Sequence, residues 1–308
     1  WVSDTRSDMA ADKSSRVRSV VAIWGLGVSA CAGVQSSPAP VTPKPTPSAA
    51  APVVPVAAAA TAADAWLTAL DRDNALVGKL WDVKAGAFVD ESAVLKNFAA
   101  ARFVLLGERH DNPDHHRLQA RVLEQLAKAG RKPVVVFEML EVPQQAALSE
   151  YTARNDAQAA GVGAALAWEK TSWPPFSQYQ PIFEAAFAAK LSLHAGNLAQ
   201  ADAKALVKQG LAALSAERVK ELRLDQAFPA PLEATLLEEL RASHCGQLPE
   251  KYLAPMALAQ HARDAQMAQV LASAGAKDGA VLIAGGGHAR LDRGVAFGAR
   301  ELGQDQEV

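Results

Sequence analysis

Four short, almost wholly apolar runs recur along the chain: Phe103 to Leu106, Val134 to Phe137, Leu191 to His194 and Val281 to Ala284. Each gives way to polar or glycine residues: Gly107-Glu108, Glu138-Met139, Ala195-Gly196-Asn197 and Gly285-Gly286-Gly287-His288. Short apolar runs without alternation predict strands covered on both faces. Between the first two runs, Leu118, Val122, Leu123 and Leu126 mark one face of a helix that Pro113 opens and Gly130 closes. Strands alternating with helices predict an α/β fold, mainly a parallel sheet with flanking helices. From about 198 to 275 the pattern turns helical, broken at Phe228-Pro229-Ala230-Pro231 and from Gly246 to Pro249. That stretch exceeds one crossover and predicts a helical insert or cap. Upstream, the pattern predicts a short helix from Asp64 to Leu70, a strand from Val77 to Val83 turned at Ala85-Gly86-Ala87, and a helix from Asp90 to Asn97.

The front of the chain is of another kind. From Met9 run Lys13, Arg16 and Arg18, then an apolar stretch from Val20 to Ala30, then Cys31. A basic region, a short apolar region and small residues before a cut describe a secretory signal over 1–30. The apolar run is roughly half of what a membrane-spanning helix requires. Val28-Ser29-Ala30-Cys31 resembles a bacterial lipobox, which implies lipidation at Cys31, and the Ala at position 32 points to the outer membrane. Residues 31–63 then form a tether, almost entirely Ala, Pro, Ser, Thr and Val from about Gln35 to Ala63, that cannot bury a core and favours extended conformations. The stretch from about Gln35 to Ala63 reaches up to about 90 Å at 3.1 Å per residue. The folded part is expected over 64–308. The expected location is the bacterial cell envelope, as an outer-membrane lipoprotein facing the periplasm or the surface. A formal net charge of −2 gives no electrostatic footprint for nucleic acid.

Candidate chemistry gathers where the strands end. Three of the seven histidines lie in Leu105 to His116, with Glu108, Asp111 and Asp114. In a parallel sheet the ends carrying Glu108, Glu138, Asn197 and His288 share one edge, where α/β proteins place their sites. Glu108, His110, Glu138 and His288 form a carboxylate–imidazole set suited to zinc, iron or manganese, or to general acid–base chemistry without metal. The competing reading pairs the two glutamates with Arg109, Arg290 or backbone amides as buried structural acids. His115 and His116, adjacent on a helix, point about 100° apart and do not share one ion. The loop Trp168 to Pro181 concentrates aromatic residues and suits either an apolar ligand wall or an anchor into the core; Tyr179 within it is a hard oxygen ligand for ferric iron. Cys245 reads as a buried, inert thiol, His261 as a helix-face residue and His194 as part of a core.

The motifs also carry a resemblance. Leu-Gly-Glu-x-His-Asp at 106–111 with His115-His116, Phe-Glu-Met at 137–139, Trp-Pro-x-Phe-x-x-Tyr-x-Pro-Ile at 173–182, His-Cys-Gly-x-Leu-Pro at 244–249, Ala-Gln-x-x-Arg-Asp-Ala-x-Met-Ala at 259–268 and Gly-Gly-His at 286–288 resemble, in order, the ChaN-type lipoproteins. The resemblance implies a lipid-anchored haem-binding protein of iron acquisition. It further implies haem held face to face between two subunits of a homodimer, a tyrosine on the iron, and an outer-membrane haem receptor as partner. Tyr179 is the first candidate for that ligand, with Trp173 and His116 beside it and Tyr151 and Tyr252 behind it. The wider superfamily, with Tiki-type metalloproteases and erythromycin esterases, implies instead a metal-dependent hydrolytic centre at Glu108, His110, Glu138 and His288.

Overall fold

The computed structural model describes residues 66–302. The expected signal peptide, Cys31 and the tether lie outside the described residues, as does Asp64. Residues 66–70 are not helical; the backbone N–H groups of Leu67 and Thr68 donate to the Asp114 carboxylate at 2.9 and 2.7 Å. A small antiparallel hairpin follows, β1 (Leu80–Asp82) and β2 (Ala87–Val89), shorter than the predicted strand, and then helix α1 (Glu91–Ala100).

The main sheet has four strands: β3 (Phe103–Glu108), β4 (Val134–Glu141), β5 (Leu193–Asn197) and β6 (Ala280–Gly285). Their spatial order is β3-β6-β4-β5, and every pairing is parallel. Helix α2 (Pro113–Lys128) leads from β3 to β4. Short helices α3 (Gln145–Thr152) and α4 (Val162–Ala165), then α5 (Phe176–Ala188), lead from β4 to β5. From β5 to β6 run α6 (Gln200–Gln209), α7 (Ala216–Glu221), α8 (Ala230–Ser243) and α9 (Leu253–Ala274), and the described chain closes with α10 (Val295–Glu301).

The two faces of the sheet belong to different parts of the chain. Val104, Leu106, Val135, Phe137, Val281 and Ile283 pack with Leu123 of α2 and Phe183 of α5. The alternate residues Phe103, Val136, Leu282 and Ala284 pack with Met267 and Leu271 of α9 and Val295 of α10. Right-handed crossovers require this arrangement. The chain steps one way across the sheet from β3 through β4 to β5, with its helices on one face. It then reverses to set β6 in the middle, so the returning helices lie on the other face. The stretch predicted as an insert or cap therefore divides. Leu206 of α6 and Leu222, just after α7, form a satellite apolar cluster with Ala259 and Ala262 of α9, while α9 itself is a layer of the sheet sandwich.

The layers approach closely at Gly196 of β5. A methyl group there would stand 2.7 Å from Val136 Cγ1, 3.1 Å from the Phe137 carbonyl oxygen and 3.4 Å from Met267 Cγ. Gly196→Ala is expected to destabilise the fold by about 1–3 kcal/mol through overpacking. An unchanged urea midpoint for that variant would show that the sheet and α9 have room to spare.

Candidate functional site

Strand parity decides where the two glutamates point. Glu108 continues the Val104–Leu106 face, and Glu138 continues the Val134–Val136 face, so the carboxylates lie on opposite faces of the sheet near one edge. Glu108, 5% exposed, meets α2 and α5. The Tyr179 hydroxyl donates to its Oε1 at 3.0 Å, and His110 Nδ1 approaches the same oxygen at 2.9 Å. His116, wholly buried on α2, places Nε2 3.4 Å from Glu108 Oε2, and its ring tilts against Tyr179 with centroids 4.1 Å apart. Burial alone would raise the Glu108 carboxyl, but the His110 and His116 imidazoles hold it down at about 2.

Glu138 faces α9. Arg263 Nη2 donates to its Oε1 at 2.6 Å, and His288 Nε2 stands 3.3 Å from the same oxygen. The Gly285 N–H donates to Oε2 at 2.7 Å. Arg263 Nε also donates to Asn197 Oδ1 at 3.0 Å, while the Asn197 amide donates to the Glu138 carbonyl at 2.8 Å. His288 Nδ1 lies 2.6 Å from Asp264 Oδ1, so its ring sits between two carboxylates, and the Gln260 amide closes over that ring. Burial opposes charge on both partners. Even so, His288 and Arg263 hold the Glu138 carboxyl well below its ordinary range, and Glu138 and Asp264 push His288 up to about 9.

His110 joins the two halves. Its Nδ1 is held by Glu108, its Nε2 is 3.9 Å from Glu138 Oε2, and Trp173 sits edge-on with centroids 4.8 Å apart. Its side chain is 27% exposed, so it is the part of the network that solvent reaches. Gly285 makes that crossing possible, because a methyl group there would stand 2.7 Å from His110 Nε2 and 3.5 Å from Glu138 Oε2. The first two amides of the glycine run are spent within the protein, Gly285 on Glu138 and Gly286 on the Glu108 carbonyl at 2.8 Å.

The structure thus gathers Glu108, His110, His116, Glu138, Tyr179, Trp173 and His288 at one sheet edge. Among the described residues no three His, Cys, Asp or Glu side chains converge to hold an ion. A guanidinium and a backbone amide take the Glu138 oxygens, and a phenol and an imidazole share Glu108 Oε1, while Glu108 Oε2 and both His116 nitrogens are buried with no hydrogen-bond partner among the described residues. Of the anticipated structural partners, a backbone amide does hold Glu138, the Gly285 N–H at 2.7 Å, but the arginines differ. Arg109 stands near Asp111 and Arg290 pairs with Asp292, both at the surface, while Arg263 does the pairing. Tyr179, expected on a ferric ion, is fully buried. Burial and the Glu108 charge push its phenol far above the ordinary range, so it stays protonated. The aromatic loop is an anchor: Trp168 packs on Phe176, Tyr179 and Phe183 in the core. His115 turns away from His116 and accepts from the Arg109 N–H at 2.9 Å. Cys245 is exposed rather than buried, in the turn after α8, with φ at 54°.

Gln260, Arg263 and Asp264 were absent from the sequence-derived site. Their signal was present: they share one stripe of α9 with buried Met267, at spacings of three and four, and polar residues on a helix's core-facing stripe need partners.

No curated protein matches the chain. Among solved structures, the ChaN of Campylobacter jejuni, described with cofacially bound haem, is similar with a TM-score of 0.61 and 19% identity, covering 73% of this chain and 86% of that one. The type III effector HopBA1 reaches a TM-score of only 0.34 at 13% identity, covering 63% and 71% of the two chains, too low to bear on the fold. The first shares the fold: a parallel sheet between helices. The family model described as haem-binding uptake, Tiki superfamily, ChaN matches residues 94–297, which span all four strands of the sheet, both carboxylates and the α9 stripe, and the chain belongs to that family.

Proposed function

We propose that this protein is a lipid-anchored haem-binding protein of iron acquisition. It is anchored through Cys31 to the outer membrane, holds haem between two copies of the chain and exchanges it with a haem receptor. The observation that supports the haem-binding part of this reading is the family match over residues 94–297. Bound haem supplies the iron; the chain's task is to hold and release it.

Tyr179 does not fit the iron, since its buried phenol is committed to Glu108. The Tyr151 hydroxyl donates to the Gln158 carbonyl at 2.8 Å. Tyr252 fits better. It is half-buried at the head of α9 and its hydroxyl makes no hydrogen bond among the described residues. The Lys251 ammonium stands 5.1 Å from its ring centroid, a cation placed for a propionate. A ligand at the surface also suits a group shared between two subunits. Glu108 and Tyr179 then serve to fix the His110 loop.

A second reading rests on His110. It stands at the mouth between two buried carboxylates, and Glu108 and Glu138 raise its proton affinity against the effect of burial. That arrangement suits metal-free general acid catalysis of hydrolysis.

In a hemin titration of the full chain followed at the Soret band, saturable binding is expected. Tyr252→Phe should weaken it by about tenfold or more, and Tyr179→Phe should leave it near wild type. The reverse pattern would return the ligand to Tyr179, and no saturation would end the haem reading. If the hydrolase reading holds, His110→Gln abolishes hydrolysis of a panel of ester and peptide substrates without changing the Soret titration; a wild-type protein inert on the panel removes it. The pH dependence of stability follows from the shifted groups. His288, raised from 6.5 to about 9, stabilises the fold fully below 6.5 and loses that contribution as pH rises through 9. Glu108, lowered from 4.5 to about 2, contributes above 4.5 and loses it as pH falls towards 2. Both contributions are complete between 4.5 and 6.5. Asp264→Asn should move the alkaline fall in melting temperature to lower pH; an unmoved alkaline limb would remove His288 as its cause.

A further inference from the structure

Large apolar side chains exposed to solvent are concentrated in one part of the described chain. Leu67, Leu70, Leu76, Trp81, Val83 and Phe88 are all more than half exposed, with Leu70 at 80% and Val83 at 86%. Trp81 and Phe88 face each other across the hairpin, ring centroids 4.9 Å apart and edge-on. No residue of 66–90 belongs to any of the three apolar cores. The wing is held to the body through polar contacts instead: Leu67 and Thr68 on Asp114, and the Thr68 hydroxyl on Asn112 at 3.1 Å. It also lies ahead of the family-matched region, which starts at residue 94. Exposed apolar side chains gathered in one segment, and not used by any core, mark an interaction site.

We propose that this wing docks onto the lipid surface to which the chain is anchored, a reading that rests on the lipid anchor proposed above. The position of the wing selects this occupant. The tether from Cys31 to Ala63 joins the folded part at Trp66, so the attached end of the domain and its exposed apolar end coincide. Chain composition agrees. Aromatic rings with apolar neighbours are the side chains that settle at a membrane interface. Residues 66–90 carry Arg72, Lys79 and Lys84 against Asp71, Asp73, Asp82 and Asp90, so attraction to anionic headgroups contributes little. Docking of the wing then brings the Asn112–Asp114 contact that holds it, and the sheet edge beside it, close to the lipid.

The test uses the full chain with Cys31→Ser, which removes the lipid, and vesicles of phosphatidylethanolamine and phosphatidylglycerol. Saturable co-sedimentation that survives high salt is expected. Trp81→Ser with Phe88→Ser should weaken it at least tenfold while the thermal melt stays unchanged, since neither ring enters a core. Absence of vesicle binding by Cys31→Ser protein, or equal binding by the double variant, overturns the proposal. So does a double variant that instead loses self-association in sedimentation velocity, or loses the hemin Soret band, which would assign the wing to a second copy or to haem. The anchor is judged separately by the intact mass of the wild-type chain from membranes. An unlipidated wild type with vesicle binding retained in Cys31→Ser removes the anchor and leaves the docking surface standing.

Discussion

A carboxylate at 2% exposure in the middle layer of the protein sets the terms for everything around it. Desolvating Glu138 costs several kcal/mol unless its charge is matched, and the match comes from Arg263 and His288 with the Gly285 amide. Those partners arrive from α9, from the turn after β6 and from β6 itself. The last strand must therefore be in place before the charge is compensated. His288 in turn is satisfied only because Asp264 holds its other nitrogen. One buried charge thus ties together four elements that the chain places far apart.

The second carboxylate makes the arrangement a site rather than a single ion pair. Glu108 and Glu138 lie on opposite faces of the sheet, and β6 between them ends in glycine. With no side chain on Gly285, His110 passes over the sheet edge and reaches towards both acids. The two halves are tuned apart: an acid at about 2 on one face and an imidazolium at about 9 on the other. Such separation is characteristic of functional networks.

The periphery follows a different logic. The family-matched body is closed and well packed, while the segment that leads into it presents apolar side chains outward and is attached through a helix N-terminus. No helix among the described residues is long and apolar enough to cross a membrane. The apolar surface of the wing is thus a property of side chains on a small hairpin and the segment before it, none of which enters a core.

The sequence by itself determined the four strands, because each is a short apolar run flanked by glycine or acid, and it determined that Glu108, Glu138, Asn197 and His288 would share one edge, because parallel strands put their carboxyl ends together. The pattern predicts a longer hairpin strand and a helix over 66–70, because local pattern cannot register that the Leu67 and Thr68 amides find the Asp114 carboxylate 47 and 46 positions away. Only the tertiary structure decided what the edge residues do. Periodicity fixes which face of a strand a residue takes, but not which distant helix will cover it. Arg263, Asp264 and Gln260 became partners of Glu138 and His288 through the reversal that sets β6 at the centre of the sheet. Tyr179 changed from a candidate ligand to a buried donor for the same reason: α5 carries it beneath the Glu108 face, where a phenol is cheaper to bury with its proton than without it.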